Sequence, residues 1–250
     1  MPPEPKSVGA TVWGWTKELL IVVVLGLVVS TLLRTFVFQM FEIPSQSMEK
    51  TLLVGDRVAV QKITNYHRGD VVVFKDPGGW LPAQYTERGP AAKVLEFVGI
   101  LPNSSDQYLI KRVIGMPGDT VICCDTEGRI LVNGEPVDES EYLYSDADGI
   151  VAPSEINFEV TVPADRIFVM GDHRNASGDS RCHLSDLSAS GIRGDVAFVP
   201  SDDVVGVAFA ITYPLDRFGL LHRPSAFDQV PEPSEPAPAE PRIEPEGVVC

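Results

Sequence analysis

Three residues of this chain have side chains suited to acyl transfer if folding brings them together: Ser45, Ser47 and Lys111. A serine hydroxyl is a weak nucleophile at neutral pH, so it needs a base to take its proton and donors to hold the oxyanion formed on an attacked carbonyl. Three bases compete for Ser47. Lys50 forms S-x-x-K with it, which would place both side chains on one helix face, as in penicillin-binding enzymes. Against that, the companion motifs S-D-N and K-T-G are absent, and Ser47 to Leu53 is short for a buried helix with Gly55 following. His173 follows Gly171-Asp172 and could enter a Ser/His/Asp triad, but triads are defined by geometry that spacing does not show. Lys111 stands between Leu109 and Val113 in an alternating strand, where desolvation would disfavour its ammonium and lower its pKa. From the strand pattern alone, a lysine that snorkels from the sheet surface is the simpler reading. A metal centre drawn from His173, Asp179, Cys182 and His183 matches no ligand spacing.

The elements that must position these groups read as mainly β. Arg57–Gln61, Asp70–Phe74, Tyr108–Ile114, Thr120–Cys123, Ile130–Val132, Arg166–Met170, Val196–Val199 and Val204–Ile211 are short, β-branched and separated by Gly, Pro or Asp turns. That pattern predicts a mostly antiparallel, barrel-like β-domain, with Asn133-Gly134 as a tight hairpin turn. Residues 139–159 read as an acidic loop. Residues 76–107 read as an irregular excursion with a short helix near 91–98, in which Trp80, Leu81, Phe97 and Leu101 cap a core rather than dip into lipid.

Ahead of Ser47 lies an apolar run without charge from Leu19 to Leu33, continuing past Arg34 toward Phe41. Roughly 20 helical residues cross ~30 Å of hydrocarbon, so residues 19–40 are expected to form one transmembrane helix with Arg34 snorkelling. No small-residue cleavage site follows the run, which disfavours a removed secretory signal. The expected division is 1–18 as an N-terminal segment, 19–40 as anchor, 41–227 as the β-domain and 228–250 as a disordered tail rich in Pro and Glu.

With 20 basic and 35 acidic residues among 250, the formal charge of -15 argues against nucleic acid as a partner. The four cysteines, Cys123, Cys124, Cys182 and Cys250, form no C-x-x-C zinc pattern. In an oxidising compartment Cys182 could pair with Cys123 or Cys124, and the alternative is that all are free and partly buried.

Four segments occur in a fixed order: Ile43-Pro-Ser-Gln-Ser-Met48, Arg68-Gly-Asp-Val-Val-Val-Phe74, Lys111-Arg-Val-Ile-Gly-Met-Pro-Gly-Asp119, and Gly171-Asp-His-Arg-Asn-Ala-Ser-Gly-Asp-Ser-Arg181. Together they resemble the boxes of bacterial type I signal peptidases, membrane-anchored Ser/Lys endopeptidases, from the anchor to about Ile211. The resemblance implies Ser47 as nucleophile, Lys111 as general base, and Ser45 with the Ser47 backbone N–H as the oxyanion hole. It further implies that Ser177 orients the lysine amine, that Asp179 and Arg181 form a supporting ion pair, and that Gly171 and Asp172 are structural. It also implies preproteins bearing signal peptides as substrates, no metal or organic cofactor, a lipid bilayer as a partner surface, a cytoplasmic N-terminus and an extracytoplasmic catalytic domain. Two departures stand out: Lys50 where the family usually has Pro, and His173 with Asn175 in the last box. The competing expectations are another membrane-anchored serine hydrolase and a non-catalytic, membrane-tethered β-domain.

Overall fold

The computed structural model describes residues 8–82, 107–147 and 149–244. Helix α1 (Val8–Phe36) lies in one compact unit, and residues 39–82 and 107–244 lie in a second. The α1 side chains described from Leu19 to Thr31 are all exposed. That uncharged stretch covers only about 20 Å at the helical rise, short of a ~30 Å hydrocarbon layer. Among the described residues, no helix is long and apolar enough to cross a membrane. The helix also ends before residue 40, because Phe38–Glu42 is a strand.

The second unit is built from antiparallel strands. In chain order these begin with β1 (Phe38–Glu42), β2 (Arg57–Gln61), β3 (Val71–Lys75) and β4 (Tyr108–Gly115). They continue with β5 (Thr120–Cys123), β6 (Ile130–Val132), β7 (Glu135–Pro136), the small hairpin β8 (Ser145–Asp146) and β9 (Gly149–Ile150), and β10 (Phe158–Thr161). The last are β11 (Arg166–Met170), β12 (Val199–Pro200), β13 (Val204–Tyr213), β14 (Gly219–Leu220) and β15 (Arg242–Glu244). An eight-stranded sheet runs β1-β2-β13-β3-β4-β11-β12 with β14 beside β13, and a five-stranded sheet runs β15-β10-β5-β6-β7. The larger sheet has two ends and does not close, so the barrel-like expectation becomes two open sheets.

The larger sheet is buried on both faces, which explains the unbroken apolar run Val71 to Phe74: Val71 and Val73 enter one core cluster, Val72 and Phe74 another. A third cluster joins the smaller sheet to Phe168, Phe198 and Leu184. Gly115 ends β4 where a Cβ would lie 2.8 Å from Val121 and 2.9 Å from Val162, so only glycine lets the chain pass from one sheet to the other this closely. Trp80 caps the core as expected: its ring meets Phe74 edge-on, stacks on His183, and donates Nε1–H to the Val196 carbonyl at 2.8 Å. Phe97, Leu101 and the helix expected near 91–98 lie outside the described residues.

Three expectations change. Residues 228–244 do not run free: Val230 is buried, β15 pairs with β10 with Val160 opposite Ile243, and the Pro231 and Pro238 carbonyls accept hydrogen bonds from Asn133 Nδ2 and Ala164 N–H at 2.7 and 2.8 Å. The prolines of this strap lack N–H donors but keep their carbonyl acceptors, and two apolar anchors suffice where a sheet edge is waiting. Cys123 and Cys124 are bonded to each other, so neither pairs with Cys182. Val196–Val199 is mostly a 3-10 turn (Asp195–Ala197), entered through Gly194 in the left-handed region at φ 69°, with only Val199–Pro200 in strand.

Candidate active site

Ser47 lies in a 3-10 turn, Gln46–Met48, directly after the extended segment that leaves β1. The turn is pinned by Met48, which is fully buried in the core beside Leu52, and by reciprocal backbone bonds that tie Ile43 to Asp56 and Gly55 at 2.9 Å. In this turn Met48 enters the core while the side chain of its neighbour Ser47 meets Lys111 of β4.

There Lys111 Nζ donates to Ser47 Oγ at 2.6 Å. Both residues are nearly removed from water, at 5% exposure for Ser47 and 3% for Lys111. Burial dominates the lysine and pulls its pKa from 10.5 down to about 8, against the pull of Asp179 and Asp172 in the other direction. Ser45 Oγ stands 3.3 Å from Ser47 Oγ at the exposed edge of the same cleft. The other two candidate bases point elsewhere. Lys50, in the left-handed region at φ 84°, donates Nζ to the Ser140 carbonyl at 2.8 Å. The His173 ring meets Glu49, and His183 meets Asp186, so the four residues of the drawn metal centre do not converge as a set.

β11 completes the floor. Its register sets Met170 opposite Arg112, so the next residue, Gly171, comes beside Lys111. A Cβ on Gly171 would lie 2.2 Å from Ser177 Oγ and 2.5 Å from the Ser47 carbonyl oxygen, so the close approach of these two serines requires glycine. Ser177 Oγ is buried without a hydrogen bond of good geometry, and it helps to hold the Asp179 carboxyl low. Asp179 and Arg181 form the expected pair, with two bonds of 2.8 Å, and Asp179 also accepts the Gly171 N–H at 2.9 Å. Burial would push the Asp179 carboxyl up, but Arg181 and that N–H outweigh it and hold it below the usual range.

An apolar cleft of about 160 Å³ opens onto Ser47 and Lys111, walled by Ile43, Pro44, Val73, Leu81, Leu109 and Ile110. Leu81 is carried there by a turn organised on Asp76, whose carboxylate accepts the Gly78, Trp80 and Leu81 N–H groups at 3.0 to 3.1 Å.

A family model described as signal peptidase, peptidase S26, matches residues 13–213. The chain belongs to this family. It is 37% identical over 243 residues to the probable signal peptidase I of Mycobacterium leprae, covering 86% of this chain and 81% of that protein. The signal peptidase I of Mycobacterium tuberculosis H37Rv is 35% identical over 229 residues, with 82% and 75% covered. That of Leptolyngbya laminosa is 34% identical over 208 residues, with 81% and 82% covered. The protein is therefore a peptidase, of the serine type that cleaves signal peptides.

Several residues that shape this signal peptidase site were not singled out from the sequence. Arg112 is fully buried on the reverse of Lys111, doubly bonded to Asp172 at 2.6 and 2.8 Å, bonded to the Gly69 carbonyl at 2.7 Å, and laid over the Tyr142 ring. Thr51 Oγ1 donates to the same Asp172 at 2.5 Å. Glu139, expected in a solvated acidic loop, is buried and takes Arg174 Nη2 at 2.5 Å and Nη1 at 3.0 Å. The one sequence signal for this network was the pairing of Arg112 with Lys111 on opposite faces of one strand.

Proposed function

We propose that this signal peptidase works through a Ser47/Lys111 dyad, with Ser47 as nucleophile and Lys111 as general base. The observation that carries the reading is the 2.6 Å contact between Lys111 Nζ and Ser47 Oγ inside a nearly dry site. A desolvated amine is neutral for a useful fraction of molecules near neutral pH and so can accept the serine proton. As Ser47 Oγ bonds to the scissile carbonyl carbon, its proton passes to Lys111. The Ser47 N–H and Ser45 Oγ stabilise the resulting oxyanion. Collapse breaks the C–N bond, and Lys111 returns the proton to the departing amine. A water activated by the same amine then hydrolyses the acyl-enzyme. The Ser177 hydroxyl, brought against the Gly171 that stands beside Lys111, fixes the direction of the lysine lone pair. Asp179 and Arg181 hold the loop that carries it.

The substrate is an extended signal peptide whose residues before the cut lie along the strand edges of the cleft. A cleft of about 160 Å³ shared by more than one side chain favours small residues such as Ala, since larger ones would clash. The chemistry calls for no metal or organic cofactor. Membership of this family supports a membrane-associated enzyme with a cytoplasmic N-terminus and residues 41–227 on the extracytoplasmic face; α1, whose uncharged run from Leu19 to Leu33 is short of a full span, would anchor it only with Arg34 snorkelling and the apolar residues beyond it included.

Cleavage of a preprotein by purified variants tests the dyad. Ser47→Ala and Lys111→Ala each abolish turnover, Lys50→Ala keeps most of it, and His173→Ala loses no more than about tenfold, as suits a group outside the proton relay. An active Lys111→Ala enzyme would refute the assignment.

A further inference from the structure

Two side chains outside the dyad fasten the loop that carries Ser47. The His173 backbone N–H donates to the Ser47 carbonyl at 3.1 Å. Its ring places Nδ1 3.1 Å from Glu49 Oε2 and stacks on Tyr144, with centroids 3.8 Å apart and an interplanar angle of 23°. Tyr144 is tied to the same stretch through its N–H to the Asp172 carbonyl at 3.0 Å. The His173 and Glu49 side chains are 12% and 25% exposed, so the contact is sheltered without being sealed.

The place of this pair in the chain matters more than its strength. Glu49 stands two residues after Ser47, beyond the core anchor Met48, and His173 stands two residues after Gly171, the residue beside Lys111. The link therefore closes a ring: Ser47 to Glu49 along the chain, across to His173, back along the chain to Met170, across the strand register to Arg112 and so to its neighbour Lys111, and the ring contains both ends of the Nζ to Oγ contact. The turn it closes has no proline to stiffen it. Lys50 occupies φ 84°, which proline, locked near -65°, does not adopt.

We infer that Glu49 and His173 are a positioning pair that holds Ser47 Oγ at hydrogen-bond distance from Lys111 Nζ. The inference rests on the reading of Ser47 and Lys111 as the dyad. A single partly sheltered histidine–carboxylate contact contributes little to global stability. A loose nucleophile is costlier to the rate, since a displacement of about 1 Å can cost ~100-fold.

The test uses the full chain and a preprotein substrate, with kcat, KM and thermal midpoint measured for each variant. Glu49→Ala and His173→Ala, which keeps the backbone N–H, each lower kcat about fivefold to tenfold, with KM within about twofold and the midpoint unchanged. The double variant is no slower than either single one, because both remove one linkage. Glu49→Gln, which keeps an oxygen acceptor for the imidazole N–H, recovers most of the loss. Unchanged kcat in both alanine variants overturns the inference, as do losses that multiply in the double variant or that follow the thermal midpoint downward. A Ser47→Ala control separates the two levels: its activity would sink the dyad itself, whereas an inactive control beside fully active Glu49→Ala and His173→Ala enzymes sinks only the positioning pair.

Discussion

Replacing Lys111 by methionine should abolish cleavage and stabilise the protein at neutral pH. Methionine fills nearly the same volume and carries no charge to desolvate. Folding moves the Lys111 pKa from 10.5 to about 8, a gap equivalent to about 3 kcal/mol at ~1.36 kcal/mol per pH unit. Between those two values the unfolded chain binds more protons than the folded one, so wild-type stability rises with pH across that window and bears the full cost below it. The contribution of this one lysine should change by about 2 kcal/mol between pH 7.5 and 9.5. Urea unfolding of wild type and Lys111→Met at both pH values isolates it, because every other titrating group cancels in the difference. The variant should be the more stable of the two at pH 7.5, with its advantage shrinking by about 2 kcal/mol at pH 9.5. An advantage that stays constant to within about 0.5 kcal/mol would refute the desolvated amine, and with it the reason Lys111 could serve as a base.

The rate should carry the same signature: kcat/KM for preprotein cleavage rises from acid toward alkaline pH with an apparent midpoint near the lysine value of about 8, and a profile flat from pH 5 to 9 would exclude a lysine base. Gly171→Ala puts a Cβ 2.2 Å from Ser177 Oγ and 2.5 Å from the Ser47 carbonyl, so turnover should fall by about 100-fold or more while the folded state survives by circular dichroism. Lys50→Gly relieves a side chain held at φ 84° and should leave stability within about 1 kcal/mol of wild type and cleavage nearly intact. Val230→Ala removes two methyl groups from a buried site in the C-terminal strap and should cost about 1 to 2 kcal/mol in unfolding, whereas an undocked tail would show no change.

What the sequence made legible depended on how local the cause was. β2, β5, β6 and β11 fall on the expected residues, and β3, β4 and β13 differ only at their ends, because alternation and flanking turns are local signals. β10 straddles the end of the stretch read as an acidic loop and was missed, since Phe158 to Thr161 gives only four residues of alternation. β1 was absorbed into the apolar run ahead of it, where a helix and a strand of aromatic residues look alike by composition. The strap at 228–244 was misread because its stability comes from edges and carbonyl acceptors on other elements. Ser47 and Lys111, which the structure sets 2.6 Å apart, were singled out through the order of four boxes, and the strand pattern alone would have left Lys111 on a solvated face. Buried Glu139 gave no signal of its own, as its partner Arg174 lies 35 residues away.

The charges around the dyad explain how a lysine can be desolvated in so acidic a chain. Arg112 is its chain neighbour, Arg181 acts on it directly and Arg174 is fastened to the Gly171 carbonyl, and each is matched to its own carboxylate: Arg112 with Asp172, Arg174 with Glu139, and Arg181 with Asp179. All six are buried. An unmatched aspartate at this range would stabilise the ammonium and return Lys111 toward its ordinary pKa, while an unmatched arginine would carry a large desolvation cost of its own. With the pairs closed, Asp179 and Asp172 still raise the lysine pKa, Arg181 lowers it, and burial outweighs them all. The alternation of β4 makes this possible with adjacent residues. Arg112 faces its carboxylate on one side of the strand, and Lys111 meets a hydroxyl in place of a charge on the other. On the proposed dyad, a base that works near neutral pH thus depends on neighbours that neutralise one another, beside a lysine that bonds to the Ser47 hydroxyl.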